Sequence, residues 1–237
     1  MSDNWFTSKL DPEMENHPEE VLALKDYLRR KTTATEAAQT ITRPVITSNS
    51  PKDDLACLQG LLHDALLELP AYTEQLLSLL QVIENLPEPN FTAVEPSQRP
   101  GEKLWKGLPH FANLWYEIGY RSGSWKMDAE KTSGTERDAL RNEHVRRAEV
   151  EARLIMANLA SIPIGWGYEV IEDALGKDAL LDFEVPAAAE WLWVCGKRFR
   201  RGAVEGEKSY LQTQSDVVQQ AATKALTAIH EVNREIQ

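Results

Sequence analysis

Apolar residues recur every three or four positions along most of the chain, which is the spacing of an amphipathic helix. No stretch alternates apolar and polar residues as a half-buried strand would. We therefore predict an all-α fold, an irregular bundle of about eight to nine helices around a long central helix.

Prolines mark the ends of the first predicted helices. Pro18 suits the first turn of a helix, because the backbone N–H that proline lacks would have no intrahelical partner there. A shorter helix is predicted near residues 35–41, and Pro44 is expected to close it.

The best-marked helix start follows at Ser50, which is a favoured N-cap residue. Pro51 then occupies N1, and two aspartates bring negative charge into the first turn. This helix is expected to end at Pro70, and another is predicted over residues 72–86. Because only a short corner separates the two, we expect an antiparallel helix pair.

The longest helix is predicted over residues 135–161, where arginine and glutamate line one face and apolar residues line the other. We expect it to be the central helix of the bundle, with its apolar stripe buried. The stripe comprises Leu140, Val145, Ala148, Ala152, Ile155, Leu159 and Ile162.

The C-terminal part of the chain predicts three further helices. A Gly-Trp-Gly turn at 165–167 should lead into a helix over 168–175. Val185 and Pro186 should open the next helix, and the last should start near Ser209.

The chain is long enough to form one large domain, and 42% hydrophobic residues suffice for a core. We predict a single helical domain over residues 1–237. The proline-rich stretch at 87–103 is predicted to be a flexible loop, at which an N-terminal helical hairpin region would be divided from a C-terminal bundle.

The formal charge of −11 opposes the field that attracts phosphate backbones, so no nucleic-acid partner is expected. No membrane partner is expected either, because no apolar stretch approaches the roughly 20 residues that cross a bilayer. Lys197, Arg198, Arg200 and Arg201 form a local basic cluster. We interpret it as a helix C-terminus and keep a nuclear localisation signal or a phosphate-binding patch as alternatives.

Cys57 and Cys195 lie far apart in apolar helical patterns, which predicts two buried thiols in a reducing compartment. The first twenty residues carry no leader-like apolar run. We therefore expect a soluble, cytoplasmic protein, with a nuclear location as the alternative.

No metal and no cofactor are predicted. No histidine has a glutamate three residues before it, the cysteines are not clustered, and the Gly-Trp-Gly segment lacks a third glycine. Asp53 and Asp54 resemble the start of the aspartate-rich magnesium motif of helical terpene cyclases, but Cys57 stands where that motif has an acid. First-turn helix charge explains the two aspartates more simply.

Aromatic residues define the only candidate site. Trp105, Trp115 and Trp191, with His110 and Arg153, are candidate lining residues of an apolar pocket. Tryptophans within or beside helices more often simply fill the core.

Arg153 lies next to the predicted apolar stripe. If its side chain points inward it needs a carboxylate, and Glu190 is the expected partner. The alternative is an arginine in solvent.

Three segments in order, LWKGLPHF at 104–111, VEARL at 150–154 and VPAAAEWL at 185–192, resemble the signature series of an uncharacterised family of filamentous fungi, domain of unknown function 3632. The leucine-rich pair over 55–86 is similar to the opening of that family. Where the family usually has Leu-Arg before Ala-Leu-Glu, this chain has Ile171-Glu172 before Ala174-Leu175. The resemblance implies a fungal, cytosolic, helical protein, of a kind sometimes encoded near secondary-metabolite genes, and it carries no activity with it.

Two functions from different classes are consistent with these patterns. We favour a non-catalytic helical protein that acts by binding another protein, because no constellation of residues supports chemistry. The alternative is a cofactor-independent enzyme or a carrier for an apolar small molecule in fungal secondary metabolism. The sequence leaves open whether the protein is an enzyme.

Overall fold

The computed structural model describes residues 2–14, 16–89, 103–109, 111–117, 123–176 and 179–205. Within these ranges the chain forms α-helices, short 3-10 turns and loops, and no strand. The predicted all-α class is therefore confirmed. Two compact units can be separated: Met1–Glu143 with Ala157–Pro163, and His144–Met156 with Ile164–Gln237. We call them unit 1 and unit 2.

Unit 1 contains most of the helices. They are α1 (Ser2–Lys9), α2 (Pro18–Leu28), α3 (Ala34–Ile41), α4 (Arg43–Thr47), α5 (Pro51–Glu68), α6 (Thr73–Glu84), α7 (Phe111–Glu117) and α8 (Ser124–Lys131). Helix α3 packs against both α2 and α6, while α5 packs against α4, α6 and α7. The predicted pairing of the helices on either side of Pro70 is therefore present as α5 and α6.

Local signals explain where these helices begin. Pro18 and Pro51 are the first residues of α2 and α5, as predicted. Helix α3 begins with a capping box, in which the side chains of Thr33 and Glu36 each accept a hydrogen bond from the other residue's backbone N–H. The prediction for Pro44 is wrong, because this residue lies in the first turn of α4 instead of closing a helix.

The core of unit 1 is built from leucine-rich helix faces. The most deeply buried side chains include Leu24 of α2, Ile41 of α3, Leu58 and Leu66 of α5, and Leu76 of α6. Fully burying one such side chain stabilises the fold by about 1.5–3 kcal/mol relative to leaving it in water. Helix α1 was not predicted, but its Phe6 side chain is only 2% exposed and is part of this core.

Helix α9 (Gly134–Met156) contributes its first ten residues to unit 1 and the rest to unit 2. The prediction that it continues to residue 161 is wrong. Asn158, Ala160 and Ser161 have φ angles of 60°, 60° and 52°, which a right-handed helix cannot contain. It is also not the longest described helix, because α11 has 25 residues and α9 has 23.

The predicted stripe of α9 was displaced by about one position. Ala148 and Ala152 are completely buried, but Leu140, Val145 and Ile155 are only partly buried. The buried residues of α9 are His144, Arg147, Ala148, Val150, Glu151, Ala152 and Leu154. The apolar pattern predicted the wrong stripe because three polar or charged residues lie on the buried side of α9. A prediction from hydrophobic residues alone places no polar residue there.

Unit 2 consists of the second part of α9 with α10 (Gly165–Ala174) and α11 (Leu181–Glu205). Helices α10 and α11 pack closely against each other. Their core contains Trp191, Cys195 and Phe199 of α11 facing Val170 and Ile171 of α10. The Cys195 thiol donates a hydrogen bond to the carbonyl oxygen of Ala152, at 3.4 Å.

Two helix starts in unit 2 differ from the prediction. Residues 165–167 are the first turn of α10 and not a loop before it, since the chain reverses earlier, at 157–163. Helix α11 begins at Leu181, so Pro186 lies inside it. The Glu184 carboxylate caps this start by accepting from the backbone N–H of Leu180 at 2.7 Å, a local hydrogen bond that the sequence pattern did not indicate.

The described residues already form eleven α-helices, more than the eight to nine predicted, because α1 and the short helices were not counted. The loop predicted at 87–103 and the last helix predicted from Ser209 lie largely or wholly outside the described residues. Both stay predictions, as does the assignment of a single domain. In the described part of the chain, no helix combines the length and the apolar character that crossing a membrane requires.

Candidate functional site

The structure describes the side chains of three of the five residues that were predicted to line an apolar pocket, Trp105, Arg153 and Trp191. Trp105 belongs to unit 1 and Trp191 to unit 2, and both side chains are completely buried. His110 lies outside the described residues, and the side chain of Trp115 is not described either. Both tryptophans are therefore enclosed, and a pocket lined by the five residues stays a prediction.

Trp105 is held by a carboxylate that binds the backbone around it. The Glu88 side chain accepts hydrogen bonds from the backbone N–H groups of Leu104 (2.8 Å), Trp105 (3.2 Å) and Lys106 (2.8 Å). Charge-assisted bonds of this kind are stronger than neutral ones. Glu88 therefore fixes the loop that places the indole of Trp105 in the core of unit 1.

Arg153 is a partly exposed member of a charge network in unit 2. Its Nε donates to Glu149 Oε1 at 2.8 Å, and Arg146 Nη1 donates to Glu149 Oε2 at 2.7 Å. Burial acts to raise the pKa of Glu149, but these hydrogen bonds and positive charges outweigh it and hold the pKa below its usual value.

Glu190 belongs to the same network. Burial raises the pKa of Glu190, the negative charge of Glu149 raises it further, and the charges of Arg153 and Arg146 only partly oppose this rise. Arg153 therefore influences Glu190 electrostatically, while its resolved hydrogen bond goes to Glu149, one helical turn away in α9.

An open cleft of about 520 Å³ lies in unit 1, where the N-termini of α2 and α5 meet the end of α4. It is lined by His17, Pro18 and Glu19, by Pro44, Thr47 and Ser48, and by Asp54. The His17 Nε2 atom lies 2.9 Å from Asp54 Oδ1. A hydrogen bond from the Ser48 side chain lowers the pKa of Asp54, burial opposes this effect, and His17 lowers the pKa further.

The order of these three groups is not that of a catalytic triad. In a triad the imidazole lies between the hydroxyl and the carboxylate, so that it can take the hydroxyl proton. Here the Asp54 carboxylate lies between the imidazole of His17 and the hydroxyl of Ser48. These interactions connect three segments of the chain. In this order the imidazole does not activate the hydroxyl, and the hydroxyl does not activate the imidazole.

Glu20 is a buried carboxyl group in the first turn of α2. Burial raises its pKa to about 8 and the negative charge of Asp54 adds to the rise, while the backbone of His17 opposes it. Glu20 is therefore protonated at neutral pH.

Among the described residues, no group of three or more histidine, cysteine, aspartate or glutamate side chains is arranged to hold a metal ion.

The most unusual surface of the described structure lies on α11. The Trp193 side chain is 72% exposed, whereas Trp191, two residues earlier, is completely buried. Leu181 and Val185 are also exposed, at 63% and 43%. Val185 and Trp193 are eight residues apart, so they lie on neighbouring parts of one helical face.

Cations continue this face towards the C-terminal end of α11. Lys197 and Arg200 follow Trp193 at four and seven residues, which places them beside it on the helix surface. Arg201 follows Lys197 at four residues, and all three side chains are exposed. We call Val185, Trp193, Lys197, Arg200 and Arg201 the outer face of α11.

Neither Trp193 nor this face was predicted from the apolar pattern of the sequence. The face can be identified from the helical phase, which is the angular position of each residue around the helix axis. Trp191, Cys195 and Phe199 are spaced by four residues and form the buried side of α11. A residue two positions from Trp191 points about 200° away from it, and therefore towards solvent.

A comparison with curated proteins and one with solved structures both find no match to the chain. The model of one protein family, described as a protein of unknown function (DUF3632), matches residues 60–235. That range includes the outer face of α11, while His17, Glu20 and Asp54 of the cleft precede it. Because the match covers well over half of the sequence, the chain belongs to this family of proteins of unknown function, DUF3632.

Proposed function

We propose that this protein is a non-catalytic helical protein that binds another protein through the outer face of α11. The observation that carries the proposal is the 72% exposure of Trp193. A tryptophan side chain offers a large apolar area for burial, and tryptophan is the residue type most enriched among the few that dominate binding energy at interfaces.

The neighbours of Trp193 support the same function. Val185 adds exposed apolar surface, and Arg200 adds arginine, another residue type enriched at binding hot spots. Single exposed apolar residues are common on proteins, but a row that includes tryptophan is characteristic of an interaction surface.

The cleft of unit 1 supports a non-catalytic role. Its carboxylate lies between imidazole and hydroxyl, so the cleft lacks the relay that would activate a nucleophile. No observation on the described residues favours the alternative, an enzyme or carrier for an apolar metabolite, because Trp105 and Trp191 are core residues of separate units.

We place the binding event in the cytoplasm, with the nucleus as the alternative, and in a fungal cell. Both cysteines are free thiols, which suits a reducing compartment. The fungal source rests on the resemblance of the sequence segments to the family.

Photo-cross-linking tests the proposal directly. A benzophenone amino acid introduced at Val185 should capture a partner in cells of the source organism. The same amino acid at Glu172, an exposed position of α10 in the same unit, should not capture it. The captured protein is then identified, purified and titrated against the wild-type chain.

Trp193→Ser should weaken binding of the purified partner at least tenfold, since truncation of a hot-spot residue costs about 2 kcal/mol or more. Leu175→Ser is the matched control, because Leu175 is an exposed apolar residue of the same unit that lies outside α11. Equal capture from positions 185 and 172, or a dissociation constant that Trp193→Ser leaves unchanged, would refute the proposal.

A further inference from the structure

We infer that the partner bound by the outer face of α11 presents an acidic amphipathic segment, with apolar side chains for Val185 and Trp193 and carboxylates for Lys197, Arg200 and Arg201. This inference rests on the proposed function and names the chemistry of the partner. The observation that supports it is the presence of three exposed cations on the face, which is separate from the exposure of the tryptophan.

The three cations are available to a partner. Lys197, Arg200 and Arg201 are exposed, and within the described ranges no carboxylate lies within ion-pairing distance of any of them. Elsewhere in the described structure, cations are commonly paired, as Lys9 is with Asp64 and Arg146 is with Glu149. An interface that places carboxylates beside the three cations would therefore add ion pairs to those formed among the described residues.

The face is also polarised along the helix. Val185 lies near the start of α11 and Trp193 at its midpoint, and the cations lie four to eight residues beyond Trp193. At a rise of 1.5 Å per residue, the cations lie about 6–12 Å further along the axis. A complementary segment needs its apolar anchors at one end and its acidic residues at the other.

The remainder of the chain argues for a protein segment and against a phosphate-rich surface. The net charge of −11 repels nucleic acids and anionic bilayers at long range. Asp182, exposed near the apolar end of the same helix, would be pressed against anionic headgroups if α11 lay on a membrane. A segment that spans only residues 185–201 ends about 4.5 Å along the axis from Asp182.

A set of four synthetic amphipathic peptides, each about as long as the outer face, tests this chemistry. The first combines leucine and tryptophan anchors with glutamates beyond them. In the second the glutamates become glutamines, in the third they become lysines, and in the fourth the anchors become serines. Titration of the full chain, followed by the 19F signal of 5-fluorotryptophan at position 193, should show that the acidic amphipathic peptide binds at least tenfold more tightly than the other three.

Charge reversal provides the matched comparison. Lys197→Glu with Arg200→Glu should abolish the preference for the acidic peptide. Lys106→Glu with Lys131→Glu changes two exposed cations of unit 1 by the same total charge and should preserve it. Thermal unfolding of each variant confirms that the fold is retained.

The outcomes separate the inference from the proposed function. Equal binding of the acidic and glutamine peptides, with both lost in Trp193→Ser when the heat of binding is measured by calorimetry, would overturn the acidic partner and leave protein binding intact. Saturable binding to phosphatidylserine vesicles without peptide binding would overturn both. A homodimer in sedimentation velocity that Trp193→Ser dissociates would assign the face to a second copy, and the absence of saturable binding at millimolar acidic peptide would also overturn the inference.

Discussion

Gly167 allows α10 and α11 to approach each other within unit 2. A Cβ atom at this position would lie 2.4 Å from Cε3 of Trp191 and 2.5 Å from Cζ of Phe199, two buried rings that have little room to move. Gly196 on α11 has open space where its Cβ would be. The two glycines therefore serve different purposes, although both lie in helices of the same unit.

We expect Gly167→Ala to reduce the free energy of unfolding by about 1–3 kcal/mol, the usual cost of overpacking. Gly196→Ala should instead stabilise by about 0.5–1 kcal/mol, because alanine is the better helix former. Urea unfolding followed by tryptophan fluorescence measures both changes. Equal effects of the two substitutions would show that α10 and α11 do not approach closely at Gly167.

The two thiols also differ in their surroundings. Burial raises the pKa of Cys195 to about 11, with the charge of Arg198 only partly opposing it, and the side chain is completely enclosed. Cys57 is partly exposed, so the prediction that both cysteines are buried holds for Cys195 alone. A thiol reacts as its thiolate, which Cys195 hardly forms near neutral pH.

Iodoacetamide at pH 8 should therefore modify one cysteine of the folded protein, Cys57, and reach Cys195 only after denaturation. Intact-mass spectrometry counts the modified thiols. Cys57→Ser should remove the modification of the folded protein, and rapid labelling of this variant would contradict the enclosed environment of Cys195.

Glu20 makes the stability of the protein depend on pH. Its pKa is raised from 4.5 to about 8 in the folded chain, so between these values the unfolded chain releases a proton that the folded chain retains. The contribution of Glu20 is most favourable below pH 4.5 and is lost progressively as the pH rises towards 8.

We expect Glu20→Gln to raise the free energy of unfolding relative to wild type, and the gain should be larger at pH 8 than at pH 5. The amide keeps the shape of the side chain but never needs to ionise. Glu13→Gln, at an exposed position, is the control and should show no such trend. A gain from Glu20→Gln that is constant across this pH range would mean that Glu20 ionises normally in the folded state.

At the scale of helices, α9 shows how enclosure differs between neighbouring side chains. Leu154 is completely buried, whereas Ile155 is only partly buried and packs against the core cluster of unit 2. Leu154→Ala should cost about 2–5 kcal/mol, the range for a fully enclosed aliphatic side chain. Ile155→Ala removes the same number of carbon atoms and should cost clearly less, as measured by urea unfolding. The reverse order would restore the stripe predicted from the sequence.

Helix starts that depend on neighbouring residues were predictable, and helix faces that depend on tertiary packing were not. Pro18 and Pro51 begin α2 and α5 as predicted, because a proline in the first turn is a local effect. The buried side of α9 includes Arg147 and Glu151, and charged residues in a core depend on distant groups that hydrophobic periodicity cannot reveal. Pro186 suggested a helix start, but the true start of α11 at Leu181 depends on the Glu184 cap.

The same distinction applies to the candidate site. Trp105 and Trp191 are of a residue type that often lines apolar pockets, yet each fills the core of its own unit. Large aromatic side chains stabilise a core wherever they are enclosed. The cleft of His17 and Asp54 unites residues 37 positions apart, which no spacing rule links. The outer face of α11, by contrast, follows from helical phase once the buried side is known.

At the scale of the whole molecule, the charge distribution sets the outer face of α11 apart. The chain is acidic, with 37 aspartate and glutamate residues against 26 lysine and arginine residues. Three exposed cations beside an exposed tryptophan therefore give this face a local positive charge, opposite in sign to the net charge of the chain. Attraction between these cations and the carboxylates of a partner acts at short range and should weaken as salt screens it, while the net charge of −11 opposes an acidic partner at long range.

The central claim, that α11 presents Trp193 to solvent for binding, can be measured without knowledge of the partner. The protein is labelled with 5-fluorotryptophan, and Trp193→Phe and Trp191→Phe assign two of the 19F resonances. A soluble gadolinium complex should broaden the Trp193 resonance strongly and leave that of Trp191 almost unchanged, since the two side chains are 72% and 0% exposed. A Trp193 resonance as well protected as that of Trp191 in the free protein would contradict the account.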